Sequence, residues 1–594
     1  MTDPRVEYER RLVRWRERSA AHERRHLRVS NARLAAAAAI AVLAWLSFFR
    51  RSVPPWWVAA AGAGFTALIV YHARVLQRLE RSRRAARLYE RGLERLAGRW
   101  AGLGRGGEQF LSDHPYARDL DLFGRGSLFE LLNTARTEAG EATLAGWLGA
   151  GAGVEEVTAR QAAVGELRPA LDFREEVAVL AAEGEVSRTG SIATWSGLEP
   201  LPIPRYLPRL FGACAAVSLA LAVVAAREII PWSLVVGWLL LLAATIRHWR
   251  RTLHEVAERI GYAAHDLALV AELMRRIETE PVSAPRLAAL QSALTGDGAS
   301  ASRAIARLTR LVSWRESSLH NLLFMPLTTA LLVPEQLAIA INRWQATCGA
   351  HVADWLRVVG ELEALSALAM FACEHPADPF PSLVARGPLF RAEGLSHPLL
   401  PETVAVANDV RLGGDDLRVI VVSGSNMSGK STLLRSVGVN TALALAGGPV
   451  RAARLTVSPL VIGATLRIDD SLQAGHSRFY TEILRLRAIV DSARGAVPLL
   501  FLLDEILHGT NSHDRRIGAD AIVHALVAAG AIGLVTTHDL ALTELPARLG
   551  AAAANMHFQD RIDDGKMVFD YRMRPGVVEH SNALALMRAI GLDV

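Results

Sequence analysis

Apolar residues along this chain fall into long runs and short ones, and the two kinds predict different structures. "LAAAAAIAVLAWLSFF" (34–49) and "VPPWWVAAAGAGFTALIVY" (53–71) are separated only by Arg50, Arg51 and Ser52. "LFGACAAVSLALAVVAA" (210–226) and "IIPWSLVVGWLLLLAATI" (229–246) are separated by Arg227 and Glu228. Each run is about 16–19 residues, near the lower end of what spans a bilayer. Trp56, Trp57, Trp232 and Trp249 lie near their ends, where interfacial aromatics belong. The pattern predicts two transmembrane hairpins; the alternative is buried core helices. A polar stretch precedes the first run and a second run follows at once, which does not suit a cleaved signal peptide. "LLFMPLTTALLV" (322–333) is short and contains Pro326, so it predicts a buried helix, with a further membrane segment as the alternative. The rest of 252–380 has helical spacing, with loops at "ETEPVSAP" and "TGDGASAS". "HPADPFP" (375–381) marks a boundary.

Three shorter runs, "LRVIVV" (417–422), "VPLLFLLDE" (497–505) and "AIGLVTTHDL" (531–540), read as buried parallel strands, each closing on polar residues. The first leads into "GSNMSGKST", where Gly424, four residues, Gly429, Lys430 and Ser431 give G-x-x-x-x-G-K-S, the phosphate-binding P-loop. A helical pattern follows it. Strand, glycine loop and helix is the context the motif requires. Backbone N–H groups from Gly424, Ser425, Asn426, Met427, Ser428, Gly429 and Thr432 are expected around the phosphates of ATP. Lys430 is expected to reach the β- and γ-phosphates, and Ser431 to hold Mg²⁺. In the second strand Asp504 is the further Mg²⁺ residue, and Glu505 the group that orients or activates water. In the third, His538 is placed by the γ-phosphate as a sensor of hydrolysis.

Composition changes this picture little. The hydrophobic share is 51% and the mean hydropathy +0.20, high for a wholly soluble protein of 594 residues. Net charge is only +6, and arginine almost replaces lysine; Lys430 and Lys566 are the two lysines. A compact ammonium suits a phosphate cradle better than a planar guanidinium, which explains a lysine at 430. Cys214, Cys348 and Cys373 have neither pair spacing nor an even count, which argues against a disulfide framework or a zinc–thiolate site. Arginines crowd residues 1–33 and 74–105 and are few in the two hairpin turns. The positive-inside rule therefore puts the N-terminus, 73–209 and everything after 247 in the cytoplasm.

"GSNMSGKST", "DDSLQAGHSRFYTEI", "LLDEILHGTNSHD" and "TTHD" resemble, in order and spacing, the ATPase domain of the MutS mismatch-repair family. Asp470, Leu472, Gly475, Ser477, Phe479 and Glu482 match its signature, and Ser471, Arg478, Tyr480 and Ile483 depart from it. The resemblance implies that Ser477 touches the nucleotide of the other subunit, so that the active site is composite and the protein a homodimer. His508 stands where the family has arginine. "YRMRPGVVEHSNALALMRAIGLDV" resembles the family's closing segment, and "DLDLFGRGSLFELLNTARTEAGEATLAGWL" (119–148) the start of its helical core. "SHPLLPETVAVANDVRL" (396–412) resembles the segment that cups adenine, where relatives often place an aromatic and this chain has Val404, Ala405 and Val406. Mismatch-reading members carry an N-terminal domain with a phenylalanine wedge. Phe173-Arg174-Glu175 matches that tripeptide but lies on a helical pattern inside the core region and is read as coincidence.

The expected architecture is an α/β P-loop ATPase domain of the ABC/MutS type at 381–594. Ahead of it stand an arginine-rich helix (1–33), a transmembrane hairpin (34–72), a helical MutS-core-like segment (73–209), a second transmembrane hairpin (210–246) and a helical lever (247–380). The expected function is that of a multi-pass inner-membrane ATPase, a dimeric switch with implied binding of mismatched or branched DNA. The alternatives are an ATP-driven transporter or membrane remodeller, and a non-catalytic scaffold. Four spans without intramembrane charges argue against transport; Lys430, Asp504 and Glu505 together argue against the scaffold. The basic residues of 1–33 suit anionic lipid, DNA phosphate or a salt-bridged solvated helix, and adjacency to the bilayer favours lipid.

Overall fold

The computed structural model of the chain describes residues 3–578 except 112–113, 183–188, 262–266, 297–299, 321–324, 415–416, 426, 468–477, 539 and 564–565. Helices α1 (Pro4–Phe48) and α2 (Trp56–Leu96) form one long antiparallel hairpin. Asp3 caps α1 by accepting from the Arg5 N–H at 2.9 Å, with Pro4 in the first turn. The helix then runs without a break through the change from charged to apolar composition at 33/34. Arginine, glutamate, leucine and alanine are all strong helix formers, and no breaker occurs before the prolines at 54 and 55. Several arginines of α1 are held in ion pairs, with Glu7, Glu9 and, across the hairpin, Glu90.

The helical core follows, as α3 (Leu128–Leu132), α4 (Glu138–Gly149), α5 (Val154–Leu167), α6 (Leu171–Ala181) and α7 (Thr189–Gly197). A second hairpin, α8 (Leu207–Ala226) and α9 (Trp232–Gly261), interrupts it, and Trp238 donates across to Ser218 Oγ at 2.9 Å. The core resumes with α10 (Leu267–Thr279), α11 (Pro285–Thr295), α12 (Ala301–His320), α13 (Met325–Ala330) and α14 (Val333–Glu374). Helices α1, α2, α8 and α9 are each long and apolar enough to cross a membrane. Only 6, 11, 17 and 11% of their apolar windows are buried, which is not the exposure of core helices. At 322–333 the outcome differs from the expected buried helix. Helix α13 is one short segment with Met325 and Leu327 exposed, and among the described residues of this stretch Leu332, at the turn into α14, is the one fully buried.

Helix α14 is the axis of the core. Every residue from Val358 to Glu374 is buried, as in a helix apolar on all sides. Its three acids in this stretch are all paired. Glu361 meets Arg286 and Glu374 meets Arg95, while Glu363 accepts from the Arg136 and Thr137 N–H groups at 3.0 and 3.3 Å. Phe173, Arg174 and Glu175, on α6, are all buried in this core. Arg276 stacks over the Phe173 ring and Glu175 pairs with Arg11, so the tripeptide is packing, as its helical pattern implies.

The C-terminal domain is α/β. Strands β1 (Ser382–Leu383), β2 (Leu389–Leu395), β3 (Asn408–Gly413) and β5 (Arg454–Val457) form a small sheet in the order β1-β5-β2-β3. The main sheet has the order β10-β9-β4-β8-β7-β6, from β4 (Val419–Ser423), β6 (Val461–Thr465), β7 (Leu499–Asp504), β8 (Ile532–Thr537), β9 (Ala553–Asp563) and β10 (Lys566–Pro575). All neighbours are parallel except the β9–β10 hairpin. Helices α15 (Lys430–Ala446), α16 (Arg478–Ser492), α17 (Ser512–Ala528) and α18 (Leu545–Leu549) complete it. Alternate residues of β4 face opposite layers. Ile420 and Val422 pack with α15 and the helical core, and Val419 and Val421 with α16 and α17. A strand covered on both faces must be apolar throughout, which is why β4, β7 and β8 read as unbroken runs.

Candidate active site

Because β4, β8 and β7 are parallel neighbours, their C-terminal ends come out side by side, and the residues that follow them are brought together. After β4 the chain turns through a glycine loop into α15. Gly424, Met427 and Gly429 have φ of 150°, 68° and 104°. A Cβ at Gly424 would come within 3.1 Å of the Phe558 carbonyl oxygen, and one at Gly429 within 3.2 Å of the Tyr571 ring. Glycine at both positions is thus a steric requirement. The first turn of α15 has Gly429 as its N-cap, no side-chain cap and no acid, so its N–H groups are left for another partner. The hydroxyls of Ser425 and Ser428 are buried and make no hydrogen bond among the described residues. Lys430, 4% exposed, folds back to donate to the Gly424 and Ser425 carbonyls at 2.9 Å each and lies 3.5 Å from Glu505 Oε1. A buried ammonium resting on its own loop is poised for an anion.

Asp504 and Glu505 leave β7. The Thr536 hydroxyl on β8 donates to Asp504 Oδ1, and the Glu505 N–H donates back to Thr536 Oγ1 at 3.1 Å, which fixes both acids. Glu505 has φ of 47°, a left-handed conformation uncommon for glutamate and the kind of local strain that collects at functional sites. Burial opposes ionisation of its carboxyl, but Lys430, His538 and His508 outweigh that and hold its pKa below the usual range. His508 Nε2 lies 2.9 Å from Glu505 Oε2, and His538 Nδ1 lies 3.5 Å from Oε1.

These groups face a cleft of about 710 Å³ lined by Met427, Gly429, Lys430, Ser431, Thr432, Asp504 and Glu505. His397, Val404, Val406 and Tyr571 also line it. His397 is buried, and that burial, with Arg435 nearby, pushes its pKa down to about 4, so it is neutral in the cleft. Tyr571 was not foreseen as a site residue. It sits at an irregularity in β10, with φ of 54°, held by Asn408 donating to its carbonyl at 3.0 Å. The cleft thus has an aromatic lining residue although 404–406 carries none, and the tyrosine in "YRMRPG" is its only sequence signal.

Of the residues expected at the site, Gly424, Ser425, Met427, Ser428, Gly429, Lys430, Ser431, Thr432, Asp504, Glu505 and His538 are brought together. Asn426, Ser477, Asp470, Leu472 and Gly475 lie outside the described residues, as does the closing segment from 579 on. Glu482, on α16, is buried and accepts the Leu507 N–H at 2.5 Å, tying the signature helix to the turn after Glu505. From the helical core, Asp119 accepts the N–H groups of Leu466 and Arg467 at 2.8 and 2.7 Å and pairs with Arg485 on α16.

A family model described as MutS domain V matches residues 420–593. The "DNA mismatch repair protein MutS 2" of Halobacterium salinarum is 35% identical over 265 residues, and the "DNA mismatch repair protein MutS" of Natronomonas pharaonis is 34% identical over 266. Each alignment covers 44% of this chain and 29% of the relative. The protein of the same name from Brevibacillus brevis is 30% identical over 256 residues, 41% of this chain and again 29% of the relative. The chain thus spans under a third of the length of these relatives, and the likeness lies with the domain that carries the glycine loop and the acidic pair. In that domain, over residues 420–593, the chain is similar to the MutS family.

Proposed function

We propose that this protein is a membrane-anchored, Mg²⁺-dependent ATP hydrolase that works as a dimeric switch. The observation that carries the reading is the convergence on one cleft of a buried Lys430, an uncapped helix start, the Asp504–Glu505 pair and His538. Among the described residues the donor set fits a nucleotide. Two buried serine hydroxyls are unpartnered, and the lysine is held by its own loop's carbonyls and the Glu505 carboxylate. Ser431 and Asp504 are the oxygen donors that would hold Mg²⁺, which neutralises phosphate charge when bound. Lys430 exchanges loop carbonyls for phosphate oxygens, which frees the Glu505 carboxylate to take a proton from water. His508 and His538 keep that carboxylate ionised and oriented. Tyr571 and Val404 offer apolar faces to a base.

Relatives named for DNA mismatch repair support a role on DNA, with mismatched or branched duplex as the natural ligand and Ser477 of a second copy as the completing contact. Membrane anchoring in two hairpins, with the α/β domain in the cytoplasm and the domain limits given above, is supported by four apolar helices whose faces are almost wholly exposed. Those same exposed faces favour a second reading, in which the motion is delivered to the membrane instead, as in a remodelling or transport ATPase. Turnover by detergent-purified full-length protein tests the first claim. Glu505→Ala is expected to lower it by about 10²–10⁴-fold while leaving ATP binding in place; unchanged turnover would refute the assignment. Filter binding with mismatched, branched and perfect duplexes separates the two readings, since equal, salt-labile binding to all three argues against structure-specific recognition.

A further inference from the structure

Three side chains around the acidic turn form a cluster whose donor atoms also suit a metal other than Mg²⁺. Glu505 follows β7, His508 lies three residues on in the turn, and His538 follows β8. One ligand atom from each can be chosen so that all lie within 4.8 Å of one another. The imidazoles stand with ring centroids 4.8 Å apart, one on each oxygen of the carboxylate, at 2.9 and 3.5 Å. A tetrahedral ion with bonds of about 2.0–2.1 Å sets its ligand atoms roughly 3.3 Å apart, so the cluster is within small side-chain adjustments of a three-ligand site. Two imidazole nitrogens and one carboxylate, with a fourth position open to water, are the donor set of zinc and its neighbours. Mg²⁺ prefers an all-oxygen octahedron.

We infer that Glu505, His508 and His538 bind a divalent transition ion of the zinc class, and that this ion and hydrolysis exclude each other. Both histidines and the carboxylate are reached from solvent, with side-chain exposures of 39, 43 and 26%. The group that opposes binding is Lys430, 3.5 Å from the same carboxylate. A metal held by the carboxylate would remove the base assigned to water activation. Binding itself stands apart from the hydrolysis reading; only the inhibition rests on it.

The test is titration of ZnCl₂, by calorimetry, into nucleotide-free full-length protein in detergent, purified without a histidine tag. Visible spectra of Co²⁺ added in place of zinc accompany it. One zinc per chain and the intense absorption of four-coordinate Co²⁺ are expected. His508→Ala should weaken binding by more than the roughly 10–100-fold that loss of a group merely orienting a metal ligand costs. His508 is half exposed and outside the core, and retained ATP binding reports that the variant is folded. Undiminished zinc binding in His508→Ala, or only the weak spectrum of six-coordinate Co²⁺ in the parent, would overturn the site. Because these readouts use no ATP turnover, their failure leaves the hydrolase reading untouched. Loss of turnover on zinc loading, reversed by a chelator, is expected in addition; full turnover with zinc bound would overturn the exclusion.

Discussion

Tyr571 lines the cleft beside Val404 and Val406, and in the proposed reading its ring faces adenine. Its ring lies against Gly429 and its backbone is pinned in a left-handed conformation by Asn408, which donates to its carbonyl and accepts from the Met573 N–H at 2.7 Å. Such pinning makes sense if the ring's position matters, because φ > 0 costs a tyrosine of order 1–3 kcal/mol. Stacking between aromatic faces contributes about 0.5–1.5 kcal/mol beyond buried area. Tyr571→Ala is accordingly expected to weaken ATP binding by roughly 3–12-fold, with kcat nearly unchanged, and Tyr571→Phe to bind like the parent. Equilibrium binding of a fluorescent ATP analogue measures both. A kcat loss equal to the affinity loss would show that the ring acts on the reacting end of the nucleotide instead.

At the scale of elements, what was legible follows from burial on two sides. Strands β4, β7 and β8 are covered by helices on both faces, so their sequence is continuous apolar and the chemistry begins where it stops. The hairpin β9–β10 lies at the sheet edge. Its polar sequence, "NMHFQDRIDDGKMVFDYRMRP", gives no such run, and Tyr571 inside it stayed hidden. Helix limits were read from polarity, but α1 and α2 pass through the 33/34 and 72/73 boundaries because helix propensity does not change where polarity does. Pairings across domains had no local signal. Asp119 is the clearest case, 1% exposed and joined to Leu466, Arg467 and Arg485 more than three hundred residues away. Burial raises its pKa against those donors, and leaving them unsatisfied is costly. Asp119→Ala is expected to destabilise the contact between the helical core and the α16 side of the sheet by about 1–3 kcal/mol, chiefly through the Leu466 and Arg467 N–H groups it leaves unsatisfied. Limited proteolysis should then cut between the two at much lower protease concentration than in the parent.

On the scale of the whole molecule, the question is whether the apolar hairpins are passive. The base of α1–α2 is not loosely tethered. Tyr8 and Tyr89 meet edge to face, and Arg11 reaches Asp172 and Glu175 on α6. Arg95 forks onto Glu374 at 2.6 and 2.8 Å, while the Tyr8 hydroxyl donates to the same carboxylate at 3.2 Å. Glu374 is the last residue of α14, directly before the α/β domain, so movement of that domain acts on the hairpin base through one buried, bidentate pair. Truncating one partner of such a pair strands the other charge in the interior at about 3–5 kcal/mol. Glu374→Ala should therefore speed amide exchange at residues 86–96 by roughly a hundred- to several-thousand-fold, and Glu374→Gln by less, because its one amide oxygen still accepts from Arg95 and Tyr8 while the charge and the second acceptor are lost. If the hairpin responds to nucleotide, adding ATP should alter exchange in that segment in the parent and fail to do so in Glu374→Ala. Equal ATP responses in the two would mean that the hairpins anchor the protein without following its α/β domain.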